Sequence, residues 1–392
     1  MKWTNKGHEF DRYKQLFLGK KTYLYGYGQI GKYCFELLKG NVEGVFDKNA
    51  KEIESPIVPV NLPEKINTLD KNKSILILSM SDDKAESLVR VLTIYGWELG
   101  KNLFTFSLWN RLFNFYAFYH DGKLILKEFA INISKHCTLH CQECSQRMPY
   151  QCGLEESSID QLKEDADLLF AKVDSIRNLA ITGGEPLLFG ELEEYLRYLG
   201  QNYGSKIRYI RVVTNGTILP KLSLLGVMRT HGITMEVTKY NVPQSKWEEI
   251  SCLCEAHGVK MLVNEHEYWF KMWEEQKERD REWHFHNCIA NSNCTALIDG
   301  KISRCLCGYF ASLSIGDIEV AERDVLSLRD KTVSKEILFE YLEGYCSLGY
   351  LKACEMCNGL YGVNENKIEV GCQMKEYESG EIIYNEVDKQ RA

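Results

Sequence analysis

The chain has no apolar run near the length of a membrane span, and its mean hydropathy is −0.31. Its first residues, Met1-Lys2-Trp3-Thr4-Asn5, lack the apolar stretch of a secretory signal. It carries no excess of positive charge: 48 Lys and Arg stand against 55 Asp and Glu, a formal net charge of −7, and the pI is about 5.8. That excludes a global basic field for nucleic acid or for an anionic membrane surface. Together these absences read as a cytoplasmic protein with neither nucleic acid nor membrane as partner. What the chain does have is cysteine, fifteen in 392 residues. Thiols at that density in a reducing compartment point to metal or redox work rather than to disulfides. The length predicts two or three domains, and the 44% apolar fraction is ordinary for packed cores.

Three of the cysteines fall in Cys137-Thr138-Leu139-His140-Cys141-Gln142-Glu143-Cys144, a C-x3-C-x2-C spacing. Thiolates are the natural ligands of iron–sulfur clusters, and a four-iron cluster usually takes four. Three from one loop leave one iron open to a small molecule, as an open position does at a catalytic metal. A zinc knuckle or a set of buried thiols is the plainer alternative. Further on comes Ile181-Thr182-Gly183-Gly184-Glu185-Pro186-Leu187-Leu188. Two glycines after a strand let the backbone approach a ligand closely, and Pro186 fixes φ and removes a donor. A bare Gly-Gly turn would account for them as well.

The two motifs, in this order and each after an expected strand, resemble those of the radical S-adenosylmethionine (SAM) enzymes. The resemblance covers roughly residues 124–375. It implies that Cys137, Cys141 and Cys144 hold a [4Fe–4S] cluster whose open iron chelates SAM, and that one electron cleaves SAM to a 5′-deoxyadenosyl radical. It implies further that Gly183, Gly184, Glu185 and Pro186 bind SAM, the Glu185 carboxylate taking its ammonium group. Thr214 and Asn215 resemble the ribose-contacting positions of the family, and Thr238 and Lys239 are candidates for the SAM carboxylate or the substrate; strand-end capping explains all four equally. One position departs from the pattern: the residue before the third cysteine is often aromatic in the family, and here it is Glu143. Such chemistry implies an anaerobic or reducing setting and an electron donor of the flavodoxin or ferredoxin kind.

The remainder of the chain fits this frame as an α/β protein. In the first part, Lys21 to Gly31 reads as a short strand running into G-x-G-x-x-G at Gly26, Gly28 and Gly31, with a helix over 32–39 and a strand over 42–46 that ends on Asp47. That is the opening βαβ of a Rossmann-like domain, with Asp47 placed for a ribose hydroxyl. A buried strand over 74–79, a helix over 82–95 and a strand over 103–106 follow. The domain, residues 1–120, is short for a full dinucleotide fold; it either binds a nucleotide group or serves as a docking module whose glycines only pack helix on strand. Cys34 reads as a core residue. The aromatic run 109–119 is expected to pack this module onto the next.

Residues 121–283 alternate strand and helix: strands over 123–133, 178–182, 207–214, 234–238 and 259–263, helices over 158–171, 190–203, 221–230 and 244–256. Repeated βα units imply a parallel sheet, and the resemblance implies a partial (β/α)6 TIM-like barrel, the sixth strand lying before Cys288. Ligands in such barrels sit at the C-terminal strand ends, where the two motifs, Thr214 and Thr238 all fall. In this reading the run 265–270 after the fifth strand (Glu265, His266, Glu267, Tyr268) faces the substrate, Trp269, Phe270 and Trp273 rather pack a helix, and 274–282 is a solvated helix face. Cys252 and Cys254 are two apart, which splays them to different sides of a helix.

Residues 284–375 hold Cys288, Cys305 and a C-x-x-C at Cys354 and Cys357. Asp299-Gly300 predicts a type I′ hairpin between them. The four cysteines resemble the ligand set of the twitch form of the SPASM extension, which implies one further, auxiliary [4Fe–4S] cluster. Cys294 or Cys307 could replace Cys288 or Cys305, and a structural zinc site is the rival. Cys294, Cys307 and Cys372 are also candidate hydrogen-atom donors. Residues 376–392 read as a tail. The resemblance favours a small sugar-type substrate, nucleotide-linked or not, oxidised or epimerised. Maturation of a ribosomally made peptide is the second reading, and a cluster-holding redox or scaffold protein without SAM chemistry the third.

Overall fold

The structure is a computed structural model, and it describes residues 10–38, 41–53, 58–151, 155–273, 280–290, 294–314, 324–343, 349–360 and 366–374. The chain divides into two compact units between Lys123 and Leu124.

The N-terminal unit is a parallel sheet of β1 (Lys21–Tyr25), β2 (Gly44–Phe46), β3 (Val60–Asn61), β4 (Ser74–Leu78) and β5 (Leu103–Thr105). Its order is β3-β2-β1-β4-β5, the doubly wound order of nucleotide-binding sheets. Helices α1 (Asp11–Phe17), α2 (Gln29–Leu37), α3 (Asp82–Ile94), α4 (Phe106–Arg111) and α5 (Phe113–Asp121) accompany it. All five residues of β4 are buried, as an unbroken apolar run in a parallel sheet should be. Leu76 and Leu78 pack with Phe46, Leu92, Trp97 and Leu103. Cys34 is wholly buried. In the aromatic run, Trp109 and Tyr116 are fully buried, and Tyr116 packs edge-on against Phe17 of the same unit. Those rings belong to the unit's own core.

The second unit carries β6 (Ile125–Ser134), β7 (Ser175–Gly183), β8 (Ile207–Thr214), β9 (Thr234–Thr238) and β10 (Met261–Asn264), all parallel. Helices α6 (Ile159–Phe170), α7 (Leu192–Tyr203), α8 (Leu222–Thr230) and α9 (Trp247–Ala256) fill the connections. A capping box of Ser158 and Gln161 fixes the start of α6. On α9, Cys254 is buried and Cys252 exposed, the splay expected from a spacing of two.

Among the described residues no sixth parallel strand lies before Cys288, where it was expected. Trp269–Phe270 forms β11, which pairs antiparallel with β15 (Lys367–Ile368), and β10 remains the edge of the main sheet. Two residues offer few ladder positions, and Ile368 and Lys367 take them. So Trp269 and Phe270 are strand residues rather than helix packing. Of the charged segment 274–282, residues 274–279 lie outside the described residues; α10 covers Arg281–Asn287.

The main sheet continues on its other side through β12 (Ala296–Ile298), β13 (Lys301–Ser303) and β14 (Val325–Ser327). β12 lies parallel to β6, with Ala296 opposite Ala130. Asp299 and Gly300 both have positive φ, 50° and 72°, as a type I′ turn requires. The sheet is therefore continuous across position 284. Helices α11 (Leu306–Ser314) and α12 (Lys335–Leu342) complete this part. Because β6 to β10 run the same way, every loop after a strand opens at one end of the sheet.

Candidate active site

The three-cysteine loop leaves β6 at Ser134. Glu156 anchors its start, accepting from Ser134 Oγ and from the Lys135 N–H, each at 2.9 Å. The sulfurs are met by donors. Cys137 Sγ accepts from the Leu139 N–H at 3.5 Å and from Asn215 Nδ2 at 3.4 Å. Cys141 Sγ accepts from Gln373 Nε2 at 3.1 Å. Cys144 takes backbone N–H groups from Gln146, Arg147 and Met148. The three cysteines act on one another electrostatically. Burial pushes the Cys137 thiol up to about 11 and that of Cys141 up to about 12, and raises Cys144 as well. Such thiols give up their protons to iron, not to water. Three close sulfurs ringed by N–H donors fit a cluster with one iron left open.

The Gly183-Gly184 step runs beside this loop. The Gly184 N–H donates to Ser134 O and the Glu185 N–H to His136 O, both at 2.7 Å. A Cβ on Gly183 would sit 2.5 Å from Ser134 O, and one on Gly184 2.2 Å from His136 O. The close approach these glycines allow is thus first of all to the cysteine loop. Glu185 is fully buried and its carboxylate already accepts from Thr214 Oγ1 at 2.8 Å, the Asn215 N–H at 2.8 Å and the Leu187 N–H at 3.0 Å. It ties the ends of β7 and β8 together. A carboxylate has about four acceptor positions, so room for roughly one more donor remains. Burial raises Glu185 above the usual carboxylate range, against the pull of those donors.

Asn215 joins this network to the cluster loop. Besides Cys137, its Nδ2 reaches Thr138 Oγ1 at 3.0 Å, and its Oδ1 accepts from Thr217 Oγ1 at 2.7 Å. The hydroxyls of Thr138 and Thr217 close the ring at 2.5 Å. At the end of β9, Tyr240 stands beside all three cysteines, with Thr238 bonded to its phenol; burial and those cysteines push that phenol far up. Lys239 pairs with Glu265 at 2.8 Å and lies 4.6 Å from the centre of the Trp247 ring. Lys239, Tyr240, Trp247, Glu265 and His266 line an open groove of about 490 Å³ at the ends of β9 and β10, a size proper to a small-molecule site.

The second group of cysteines surrounds a small apolar cavity. Cys288, Cys305, Cys354 and Cys357 line it, with Met272 and Phe285 among its walls. Each of three sulfurs accepts a backbone N–H: Gly308 to Cys305 at 3.3 Å, Gly359 to Cys357 at 3.2 Å and Leu360 to Cys288 at 3.4 Å. Burial and the other three cysteines raise the Cys354 thiol. Asp324 fixes the C-x-x-C turn, accepting from the N–H groups of Lys352 and Ala353, both at 2.7 Å. A single tetrahedral zinc needs its sulfurs to converge on one point about 2.3 Å away. Four cysteines around one apolar cavity offer thiolates to a cluster or to a zinc ion alike. The Cys307 thiol is hydrogen-bonded with Cys294 and Cys305. Cys294 and Cys307 therefore belong to the surroundings of this cavity. Cys372 is exposed, lies outside it and acts on Cys141.

The sequence model described as the Radical SAM superfamily matches residues 131–242, the span that holds the cysteine loop, the Gly-Gly-Glu-Pro segment and the ends of β8 and β9. The chain carries a radical SAM domain. Its cofactors are accordingly a [4Fe–4S] cluster and SAM. A curated relative, a GTP 3',8-cyclase from Erythrobacter litoralis (strain HTCC2594), is 28% identical over 90 residues, 23% of this chain and 26% of that protein. The chain thus spans about a quarter of that relative's length. Among solved structures, BtrN in complex with AdoMet and 2-DOIA aligns at 16% identity with a TM-score of 0.39, over 60% of this chain and 94% of that one. The anSMEcpe enzyme with bound AdoMet and Kp18Cys peptide aligns at 15% and 0.41, over 60% and 89%. Streptococcus suis SuiB bound to S-adenosylmethionine aligns at 12% and 0.35, over 71% and 83%. The region that follows the matched domain is rich in cysteine.

Motif reading missed two side chains beside the cluster cysteines: Tyr240, next to Thr238 and Lys239, and Gln373, which is 232 residues from its partner. In the N-terminal unit, the glycine turn divides its labour. Gly26 has φ of 109°, and a Cβ on Gly31 would sit 2.1 Å from Gly26 O, whereas Gly28 faces open space. Asp47 accepts from the Tyr27 N–H at 2.8 Å and the Asn49 N–H at 2.9 Å, so its carboxylate braces the turn. Among the described residues no helix is long and apolar enough to cross a membrane.

Proposed function

We propose that this radical SAM enzyme oxidises a hydroxylated small molecule of the sugar, amino-sugar or nucleotide-sugar class, with residues 284–375 serving as the extension that holds an auxiliary [4Fe–4S] cluster. Bound SAM, given one electron by the cluster on Cys137, Cys141 and Cys144, supplies a 5′-deoxyadenosyl radical. A hydrogen atom moves from a substrate carbinol C–H to that radical, giving 5′-deoxyadenosine. The carbinol radical becomes a carbonyl when it loses its hydroxyl proton and one electron. An auxiliary cluster, which Cys288, Cys305, Cys354 and Cys357 would hold, would supply an acceptor for that electron.

The observation that carries this reading is helix α11. Cys305 immediately precedes it, and its Gly308 N–H bonds Cys305. Further along, its Tyr309 and Phe310 belong to the apolar cluster on which Cys137 and Cys144 pack. A helix of that length is about 13 Å long, so one short rigid element joins the two cysteine sites. Epimerisation needs a thiol to return a hydrogen atom, and two of the candidates, Cys294 and Cys307, are engaged around Cys305. The doubly wound N-terminal sheet and the open face at Gly28 support a nucleotide-linked substrate. Lys239 and Glu265 on the groove wall suit a polar, hydroxylated one.

The test is 5′-deoxyadenosine release by the reconstituted protein with a reducing donor, over a panel of amino sugars, nucleotide sugars and short peptides. Oxidation predicts a carbonyl product, equal to the 5′-deoxyadenosine formed, with no solvent deuterium at carbon. Solvent deuterium in the product carbon would replace oxidation by epimerisation. Release only with a peptide would replace the substrate class, and no release with any substrate, together with no SAM binding, would leave a cluster-holding redox protein.

A further inference from the structure

Residues 366–374 carry no motif, yet they reach the cluster. Gly371 has φ of 66°, and a Cβ there would sit 2.7 Å from the Tyr240 ring. Only glycine turns the chain so close under that ring. The next residues pair antiparallel with the cysteine loop, Cys141 opposite Gln373. The Gln142 N–H donates to Cys372 O at 2.9 Å and the Met374 N–H to His140 O at 2.8 Å. The Gln373 side chain folds back into this pair. Its Oε1 accepts from the His140 N–H at 2.8 Å; its Nε2 donates to Gly371 O at 2.6 Å and to Cys141 Sγ at 3.1 Å. The orientation of the amide is fixed by its partners, since a backbone N–H needs an acceptor and a carbonyl a donor. The amide N–H therefore has to face the sulfur.

We infer that Gln373 is a positioning residue of the SAM-binding cluster, and that its amide donates to the Cys141 sulfur to raise the reduction potential of that cluster alone. Hydrogen bonds to ligand sulfurs are among the terms that set cluster potentials, because they stabilise the more negative, reduced state more than the oxidised one. The three cysteines differ in this respect. Cys144 takes its donors from the residues that follow it. Cys137 takes one from Leu139 and one from the strand-end Asn215. The side-chain donor to Cys141 arrives from the far end of the chain, so the loop's electronic setting depends on residues 371–374 being in place. The inference rests on Cys137, Cys141 and Cys144 holding the cluster.

The experiment is an anaerobic redox titration, followed by electron paramagnetic resonance, on the reconstituted full chain and on Gln373→Leu and Gln373→Lys. Leu removes the donor; Lys keeps a donor and adds positive charge. The expected result is a potential shifted down in Gln373→Leu and up in Gln373→Lys, with the auxiliary cluster unmoved in both as an internal control. Opposite signs are what an electrostatic contact produces and a loosened loop does not. Loss of the SAM-binding cluster from Gln373→Leu but not from Gln373→Lys supports it as well. Shifts of the same sign, no shift in either, or loss of the cluster from both variants would overturn it, leaving residues 371–374 a structural brace. If the native chain holds no cluster on the three cysteines, iron content shows that first, and the parent reading fails instead.

Discussion

The three-cysteine loop and the four-cysteine cavity use the same ligand chemistry in opposite surroundings. The loop lies at the ends of parallel strands, among Asn215, Thr138, Tyr240 and an open groove. The cavity is small, apolar and edged by Met272 and Phe285, with backbone N–H groups as the donors to its sulfurs. On the proposed function, the first site would leave an iron free beside polar groups, and the second would close its ligand set in an apolar setting. A reactive cluster and an electron relay need those two settings, and the contrast follows from which side chains the fold brings to each.

The sharpest way to break the comparison is to remove one ligand from each site. Cys141→Ala is expected to lose about four irons and abolish 5′-deoxyadenosine formation. Cys354→Ala is expected to lose about four irons as well, yet retain reductive SAM cleavage while losing the oxidised product. Iron and sulfide analysis with product quantification checks both, and equal loss of SAM cleavage in the two variants would erase the distinction.

Next in size are the glycines. In Gly184→Ala the new methyl would meet the His136 carbonyl at 2.2 Å. Backbone cannot yield there, so a loss near the top of the range of about 1–3 kcal/mol is expected, with the cysteine loop displaced. In Gly308→Ala the obstacle is the Ala353 methyl at 2.8 Å, for which the low end of that same range, about 1 kcal/mol, is expected. Urea unfolding of the two variants ranks them; the reverse order would mean that the cavity is the stiffer site.

Asp324→Asn sharpens the picture of the closed site. It turns one of two acceptors on the Lys352 and Ala353 N–H groups into a donor facing a donor, and about 1–3 kcal/mol is expected to be lost. The auxiliary iron should become easier to chelate while the SAM-binding iron does not, which timed chelation reads directly.

The smallest effect concerns Asp165, which accepts from Arg329 at 2.5 Å and from the Gly300 N–H, and so pins the hairpin leading to Cys305. Burial lifts its carboxyl to about 6 in spite of Arg329. The unfolded chain has this group near 3.9, so the folded state binds the proton more tightly. Its contribution to stability is therefore full below about pH 4 and lost as pH rises through about 6. Asp165→Asn should flatten the pH dependence of the urea midpoint across that window; an unchanged slope would place its origin elsewhere.

The sequence by itself determined where the cysteines of both sites cluster and most of the scaffold. Cys137, Cys141 and Cys144 lie within one loop, and Cys354 and Cys357 within one turn, so their spacing is a local fact. The strands β6 to β10 were legible because short segments rich in apolar and β-branched residues alternate with longer helical patterns. Asp299-Gly300 announced its turn because only such residues accept positive φ twice in succession. The tertiary structure alone decided the rest. It made Gly183 and Gly184 serve the approach of the cysteine loop, bound Glu185 to β8, used Asp47 to brace its own glycine turn and gave Trp269–Phe270 to Lys367–Ile368 instead of to β10. It also brought Gln373 to Cys141. These are contacts between segments far apart in the chain. Each is fixed by backbone groups that must find partners once buried, and no local pattern of residues records which partner that will be.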